Sequence, residues 1–240
     1  MFNKSLQYSV AAQKRERHRA LRAALSLFAL FLLYNAINSF LLSTWVVRGD
    51  SMGPGLRDGD RLLVFSSTLP FLFSGIGGRG RGAIPFDRGG LVLVDKSRAE
   101  GRNPFLVAAD GFARFFTAQR VSLLGDRVYA RRLVALPGDE VGMAGFVMRV
   151  RPEGGVALTE FEFARRPYVP TFPQAPALWD AALPFSGNMD PVAIGPGEAF
   201  VVSDDRGIFG DSRTWGPIGA GTIIGRPVFR FWPPSRIGFP

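Results

Sequence analysis

Ser51 lies in "VVRGDSMGPGLRDGDRLLV", residues 46–64, flanked by Asp50 and by glycines at 49, 53 and 55. Glycines there permit an exposed turn and a close approach of substrate backbone, the setting of a nucleophile. An ordinary loop serine has the same look, and a nucleophilic one needs a partner to take its proton. The single histidine, His18, falls in a basic N-terminal tail, so no Ser-His-Asp triad can form around Ser51. A serine hydrolase built from these residues needs a lysine base made neutral by burial. Two further stretches are polar, compact and charge-rich beside apolar strands: "YARRLVALPGDEV" (129–141) and "SDDRGIFGDSRTWGPI" (203–218).

The elements that must position these residues are short and apolar. "RLLVF" (61–65), "GLVLVD" (90–95), "RVYARRLVAL" (127–136), "EAFVVSD" (198–204) and "RPVFRFW" (226–232) are bounded by Gly, Pro and Asp. With 29 Gly and 18 Pro and no sustained helical period after residue 47, the pattern predicts a mostly β, antiparallel domain. Residues 150–197 are proline-rich and weakly patterned, and read as an insertion in that domain.

Ahead of it, residues 23–47 carry no charge. About twenty such residues cross a bilayer as a helix. Lys4, Lys14, Arg15, Arg17, Arg19 and Arg22 precede this stretch against Glu16 alone, and Trp45 stands near its far end. That arrangement predicts a cytoplasmic tail over 1–22, one transmembrane helix over 23–45 and an extracytoplasmic domain over 46–240. The net charge of +9 is then largely a topology signal, and nucleic acid is not an expected partner. Cysteine is absent, which removes disulfides and thiolate metal sites; neither a metal nor a cofactor is expected.

Several boxes in order resemble the bacterial type I signal peptidases, membrane-bound Ser-Lys endopeptidases. "GDSMGPGL" resembles the family's nucleophile box G-x-S-M-x-P-T-L, and "FDRGGLVLVDK" (86–96) its strand R-G-D-I-V-V-F-K. "RRLVALPGDEV" resembles K-R-V-x-G-L-P-G-D-x-V, "SDDRGIFGDSRTWGPI" resembles G-D-N-R-x-N-S-x-D-S-R-x-W-G, and the ending "IIGRPVFRFWPPSRIG" is family-like. The resemblance implies a signal-peptidase-like antiparallel β domain on the plasma (inner) membrane. It would remove signal peptides from exported preproteins, with Ser51 as nucleophile and the lipid bilayer as a partner. It also implies an oxyanion hole from the backbone of Ser51 and Gly49. Val47, Met52, Leu56, Tyr129 and Ala130 would line shallow apolar pockets, the alternative for each being ordinary core packing. Asp211 would brace the site through Arg132 or Arg213. Segments 47–50 and 127–130 would hold an extended peptide, and the apolar stretch 69–77 would rest on the membrane.

Lesser departures from the pattern are Gly55, Gly90, Ser203 and Gly207, and two others fall where the chemistry lies. Arg131 stands where the family has its base lysine, and Phe209 where a serine hydroxyl orients that lysine. A guanidinium does not give up its proton near neutral pH and has no acceptor atom. Lys96, the only lysine after the uncharged stretch, is a weaker candidate base, and Asp50, Asp204, Asp205 and Asp211 are alternatives in principle. A relative that binds signal peptides or membrane proteins without cutting them is the alternative function.

Overall fold

A computed structural model of the protein describes residues 3–40, 42–67, 86–96, 105, 106, 109, 113, 128–174 and 187–240. Helix α1, Asn3–Phe40, is followed by strand β1, Leu42–Val46, and β2, Arg61–Ser66. Then come β3 (Leu91–Asp95), β4 (Val128–Ala135), β5 (Glu140–Ala144), β6 (Val147–Arg151) and β7 (Leu158–Thr159). A single-turn helix α2, Glu160–Phe163, leads to β8 (Met189–Ala193) and β9 (Glu198–Val202). Helix α3 (Ser212–Trp215), β10 (Ile218–Gly219) and the long β11 (Ile223–Trp232) complete the order.

The strands form a seven-stranded sheet, β1-β2-β11-β3-β4-β9-β10, and a four-stranded sheet, β7-β6-β5-β8. Their pairings are antiparallel, as the density of short runs and turns predicts. β3 is buried along its whole length at the sheet centre, whereas β2 alternates exposed and buried residues. Leu133, Val92, Val94, Val201 and Ile223 pack one core, and Val134, Val141, Met148, Phe200 and Val202 pack a second beside the smaller sheet. A third, around Leu62, Val64 and Leu93, underlies the segment that bears Ser51.

Two sequence expectations need correction. The transmembrane helix expected over 23–45 ends as a helix at Phe40, because Leu42–Val46 pairs strand to strand with Arg61–Phe65. Among the described residues no helix is long and apolar enough to cross a membrane. The expected insertion at 150–197 also begins too late. The second sheet starts at Glu140, since β5 pairs both β6 and β8. The stretch 69–77 lies outside the described residues.

β11 threads between β2 and β3, and Gly225 faces Ser66 on one side and Leu93 on the other. A Cβ on Gly225 would stand 2.4 Å from the Phe65 carbonyl oxygen and 2.9 Å from Val64 Cγ1. A backbone atom cannot step aside as a side-chain tip can, so the pairing itself would have to open. Gly225→Ala should therefore destabilise the protein by an amount near the upper end of about 1–3 kcal/mol. The shift in chemical-denaturation midpoint, followed by tryptophan fluorescence, checks this.

Candidate active site

Ser51 opens a turn between β1 and β2 that is tied down at both ends. Val47 N–H donates to the Asp60 carbonyl at 2.8 Å, and Gly59 N–H to the Val47 carbonyl at 3.0 Å. Met52 and Leu56, both buried, peg the turn into the core, and Leu56 N–H donates to Met52 O at 2.9 Å. From the C-terminal segment, Arg230 Nη1 and Arg236 Nη2 donate to the Gly55 carbonyl at 2.9 and 3.0 Å. Arg236 also pairs with buried Asp60 at 3.0 Å. Asp205 N–H donates to the carbonyl of Ser51 itself at 3.1 Å, so the loop after β9 fixes the serine's backbone.

β4 delivers Arg131 to that serine. Its Nη1 donates to Ser51 Oγ at 2.9 Å and to the Ala130 carbonyl at 2.6 Å. Nε and Nη2 both donate to the Gly210 carbonyl, at 2.8 and 2.6 Å. The guanidinium lies 5.2 Å from the ring centroid of Tyr129 and 5.7 Å from that of Trp215, and the two rings are 5.6 Å apart. Arg131 is only 3% exposed. Burial pulls its pKa below the ordinary arginine value, while Asp211 and Tyr129 act in the opposite direction. Lys96 is exposed and stacks on Trp215, its Nζ 4.2 Å from the ring centroid.

Around this pair the charged residues are matched. Asp211 receives Arg213 Nη2 at 2.8 Å, Arg213 N–H at 3.0 Å and Ser203 N–H at 2.8 Å. Arg132 pairs instead with buried Asp204 and lies 3.9 Å from the Tyr168 ring centroid. Of the two partners expected for Asp211, the structure thus brings up Arg213. Asp204 and Asp211 are each held by a guanidinium. Phe209 stands under Arg213, whose Cζ is 4.8 Å from its ring centroid.

A third buried pair was not legible in the sequence. Glu160, at the start of α2, binds Arg206 and accepts from Met148 N–H at 3.0 Å and Tyr168 O–H at 2.5 Å. Burial, and next the Glu160 charge, raise the Tyr168 pKa above the ordinary phenol value. Glu160 sits in the weakly patterned stretch, where nothing set it apart from a surface carboxylate. Only Arg206, inside the "SDDRG" run, carried a signal.

Two site expectations change. Gly49 N–H donates to Asp58 Oδ1 at 2.8 Å, so it is already engaged and cannot also serve an oxyanion. Ser51 N–H makes no hydrogen bond among the described residues and remains the donor at hand. Of the five residues expected to line pockets, Val47, Met52, Leu56 and Ala130 are packed in the core cluster under the turn. Tyr129, 38% exposed, is the one open to a ligand.

Among the described residues, no strand pairs with β4 at Ala130 on the side away from β3. Leu133 exchanges hydrogen bonds with Gly89 and Gly90 on the β3 side. By strand alternation Ala130, three residues earlier, turns its N–H and C=O to the opposite side. There β9 covers β4 from Arg132 onward, where Arg132 faces Val202, and its last residue is Val202. An extended peptide can add at this edge.

A family model described as signal peptidase, peptidase S26, matches residues 20–232. Signal peptidase I of Bacillus licheniformis is 27% identical over 203 residues, covering 84% of this chain and 82% of that one. Thylakoidal processing peptidase 1, chloroplastic, of Arabidopsis thaliana is 44% identical over 54 residues, 22% of this chain and 16% of the plant protein. The chain thus spans less than a fifth of the plant relative's length. A solved signal peptidase I from Enterococcus faecalis V583 is 15% identical with a TM-score of 0.32, over 59% of this chain and 95% of that one.

Asp211→Ala would leave the Arg213 guanidinium, 3% exposed, without its counter-charge and the Ser203 N–H without its acceptor. Breaking one side of such a pair costs about 3–5 kcal/mol. A loss of that size in denaturant unfolding is the expected result, and an unchanged midpoint would show that the pair contributes nothing.

Proposed function

The chain belongs to the signal peptidase family, peptidase S26, and from that premise we propose that it is a membrane-anchored serine endopeptidase that removes signal peptides from exported preproteins. The observation that carries the reading is the 2.9 Å contact from Arg131 to Ser51 Oγ, which joins two separate sequence boxes in one site. Ser51 is the nucleophile and its backbone N–H the oxyanion donor. Arg131 occupies the place of the family's base lysine, with Phe209 in place of the hydroxyl that orients it. The substrate lies extended along the free edge at Ala130, with Tyr129 against its side chains.

The membrane reading rests on α1. Leu21, Leu25, Leu27, Phe28, Leu30, Leu32 and Leu33 are each more than half exposed and point all around the helix. A helix apolar on every side needs an apolar surrounding. Residues 23–40 of α1 rise about 27 Å at 1.5 Å per residue, close to the thickness of a bilayer's hydrocarbon core. The span therefore ends at the start of β1, and the basic residues before it face the cytoplasm. The seven-stranded sheet lies on the other side, with Ser51 eleven residues after Phe40, the last residue of the helix.

With arginine at position 131 the chain should cleave a detergent-solubilised preprotein slowly near neutral pH, and Ser51→Ala should abolish what cleavage there is. General-base help is worth about 10²–10⁴-fold. Arg131→Lys should recover part of it, and adding Phe209→Ser should recover more than the two single changes suggest. Initial rates of the unaltered chain, the two single variants and the double variant on one preprotein, with Ser51→Ala as the blank, test this. No cleavage by any of them would favour the alternative, a protein that holds signal peptides without cutting.

A further inference from the structure

Four arginines are buried around the site, and three have a carboxylate in contact. Arg132 has Asp204, Arg206 has Glu160 and Arg213 has Asp211. Arg131 is the exception. Its hydrogen bonds go to the neutral carbonyls of Gly210 and Ala130 and to Ser51 Oγ, and among the described residues no carboxylate lies within ion-pair distance. The nearby Asp211 is already bound by Arg213. A buried cation without a counter-charge is costly. Among the described residues, the hydrogen-bond acceptor of Arg131 that can become an anion is Ser51 Oγ.

We infer that Arg131 activates Ser51 as a charged hydrogen-bond donor, with the Ser51 alkoxide as its missing counter-ion and solvent hydroxide as the base. This rests on the reading of Ser51 as nucleophile. Hydroxide removes the Oγ proton and becomes water. The alkoxide forms the Oγ–C bond with a carbonyl carbon as the C=O π pair moves onto oxygen, facing the Ser51 N–H. Collapse re-forms C=O and breaks C–N, and the amine leaves as it takes a proton from water, regenerating hydroxide. Hydroxide then attacks the ester carbon, Ser51 departs as the alkoxide, and the released acid gives its proton to solvent. Arg131 keeps its proton throughout. The two carbonyls hold its donor in place before the charge develops, which is the condition for electrostatic stabilisation of an anion. The nucleophile's activation then follows hydroxide rather than a protein group that saturates near neutrality.

The test uses the full chain in detergent and a small activated ester, p-nitrophenyl acetate, reading Ser51 acetylation by peptide mass with Ser51→Ala as the blank. From about pH 6 to 10 the acetylation rate of the unaltered protein should climb about tenfold per unit, without a plateau. Arg131→Met should lower it by about 10²–10³-fold at each pH, the loss expected for one donor to a developing anion. Arg131→Lys should instead bend the profile to a plateau at the pKa of the new amine. A plateau near neutral pH in the unaltered protein would overturn the inference, because a protein base would then be at work, and that measurement requires no variant to fold. Arg131→Met reacting as fast as the unaltered chain, or no Ser51 acetylation at any pH, would overturn it as well. Acetylation with the expected profile but no preprotein cleavage would leave this chemistry standing and remove the peptidase reading alone.

Discussion

The site depends on a set of arginine–carboxylate pairs buried beneath one loop. Residues 203–213 carry Asp204, Arg206, Asp211 and Arg213, and each is locked to a partner of opposite charge. Replacing such a pair with apolar residues often costs nothing, so its worth lies in fixing a geometry rather than in stability. Here the geometry is that of the loop backbone. Arg213 Nη1 and Nη2 donate to the Arg206 and Ile208 carbonyls at 2.8 and 2.7 Å, and Arg206 binds the Ser203 carbonyl. The loop so held presents the Gly210 carbonyl to Arg131 and the Asp205 N–H to Ser51. Through Glu160 the smaller sheet is tied to the same loop. The two halves of the candidate dyad come from different sheet regions, and this loop is what touches both.

Much of this was readable in advance, for definite reasons. β2, β3, β4, β9 and β11 overlap the apolar runs, since each sets apolar residues into the sheet and is bounded by Gly, Pro or Asp. Ser51 and Arg131 could be set side by side from their boxes, and Asp211, for which the resemblance implies Arg132 or Arg213 as partner, pairs with Arg213. The second sheet was harder. β7 has two residues, and β8 contains Asp190 and Pro191 with no residue fully buried, so neither gives an alternating pattern. The last residues of the uncharged stretch looked like the end of a helix because a strand at a sheet edge can be as apolar as a membrane span.

Side-chain roles were the least legible. Val47, Met52, Leu56 and Ala130 have the residue types of a shallow specificity pocket, and equally those of a core. Composition cannot separate the two, since both want small or flexible apolar groups. Gly49 is similar. Its φ of +76° explains the glycine, but only the structure shows that Asp58 takes its N–H. Glu160 was invisible because its partner lies 46 residues away in sequence.

On the proposed reading, in which Arg131 stands in the place of the family's lysine, more than a pKa changes. A lysine ammonium is a compact donor on a flexible stem, whereas a guanidinium is a planar fork that needs several acceptors placed around it. Arg131 finds them: Nε and Nη2 share the Gly210 carbonyl, and Nη1 spans the Ala130 carbonyl and Ser51 Oγ. The position of Gly210 is in turn set by Asp211, whose N–H donates to Phe209 O at 2.9 Å, and by Thr214, whose hydroxyl donates to the same Phe209 carbonyl at 2.5 Å. A phenylalanine at 209 suits this arrangement, because its ring meets the Arg213 guanidinium and no hydroxyl competes for Arg131. A lysine placed at 131 would inherit acceptors spread for a fork and lack the one hydroxyl that could single out its amine. On the proposed mechanism, positions 131 and 209 act as one unit that holds a cation against Ser51 rather than a base that shuttles a proton.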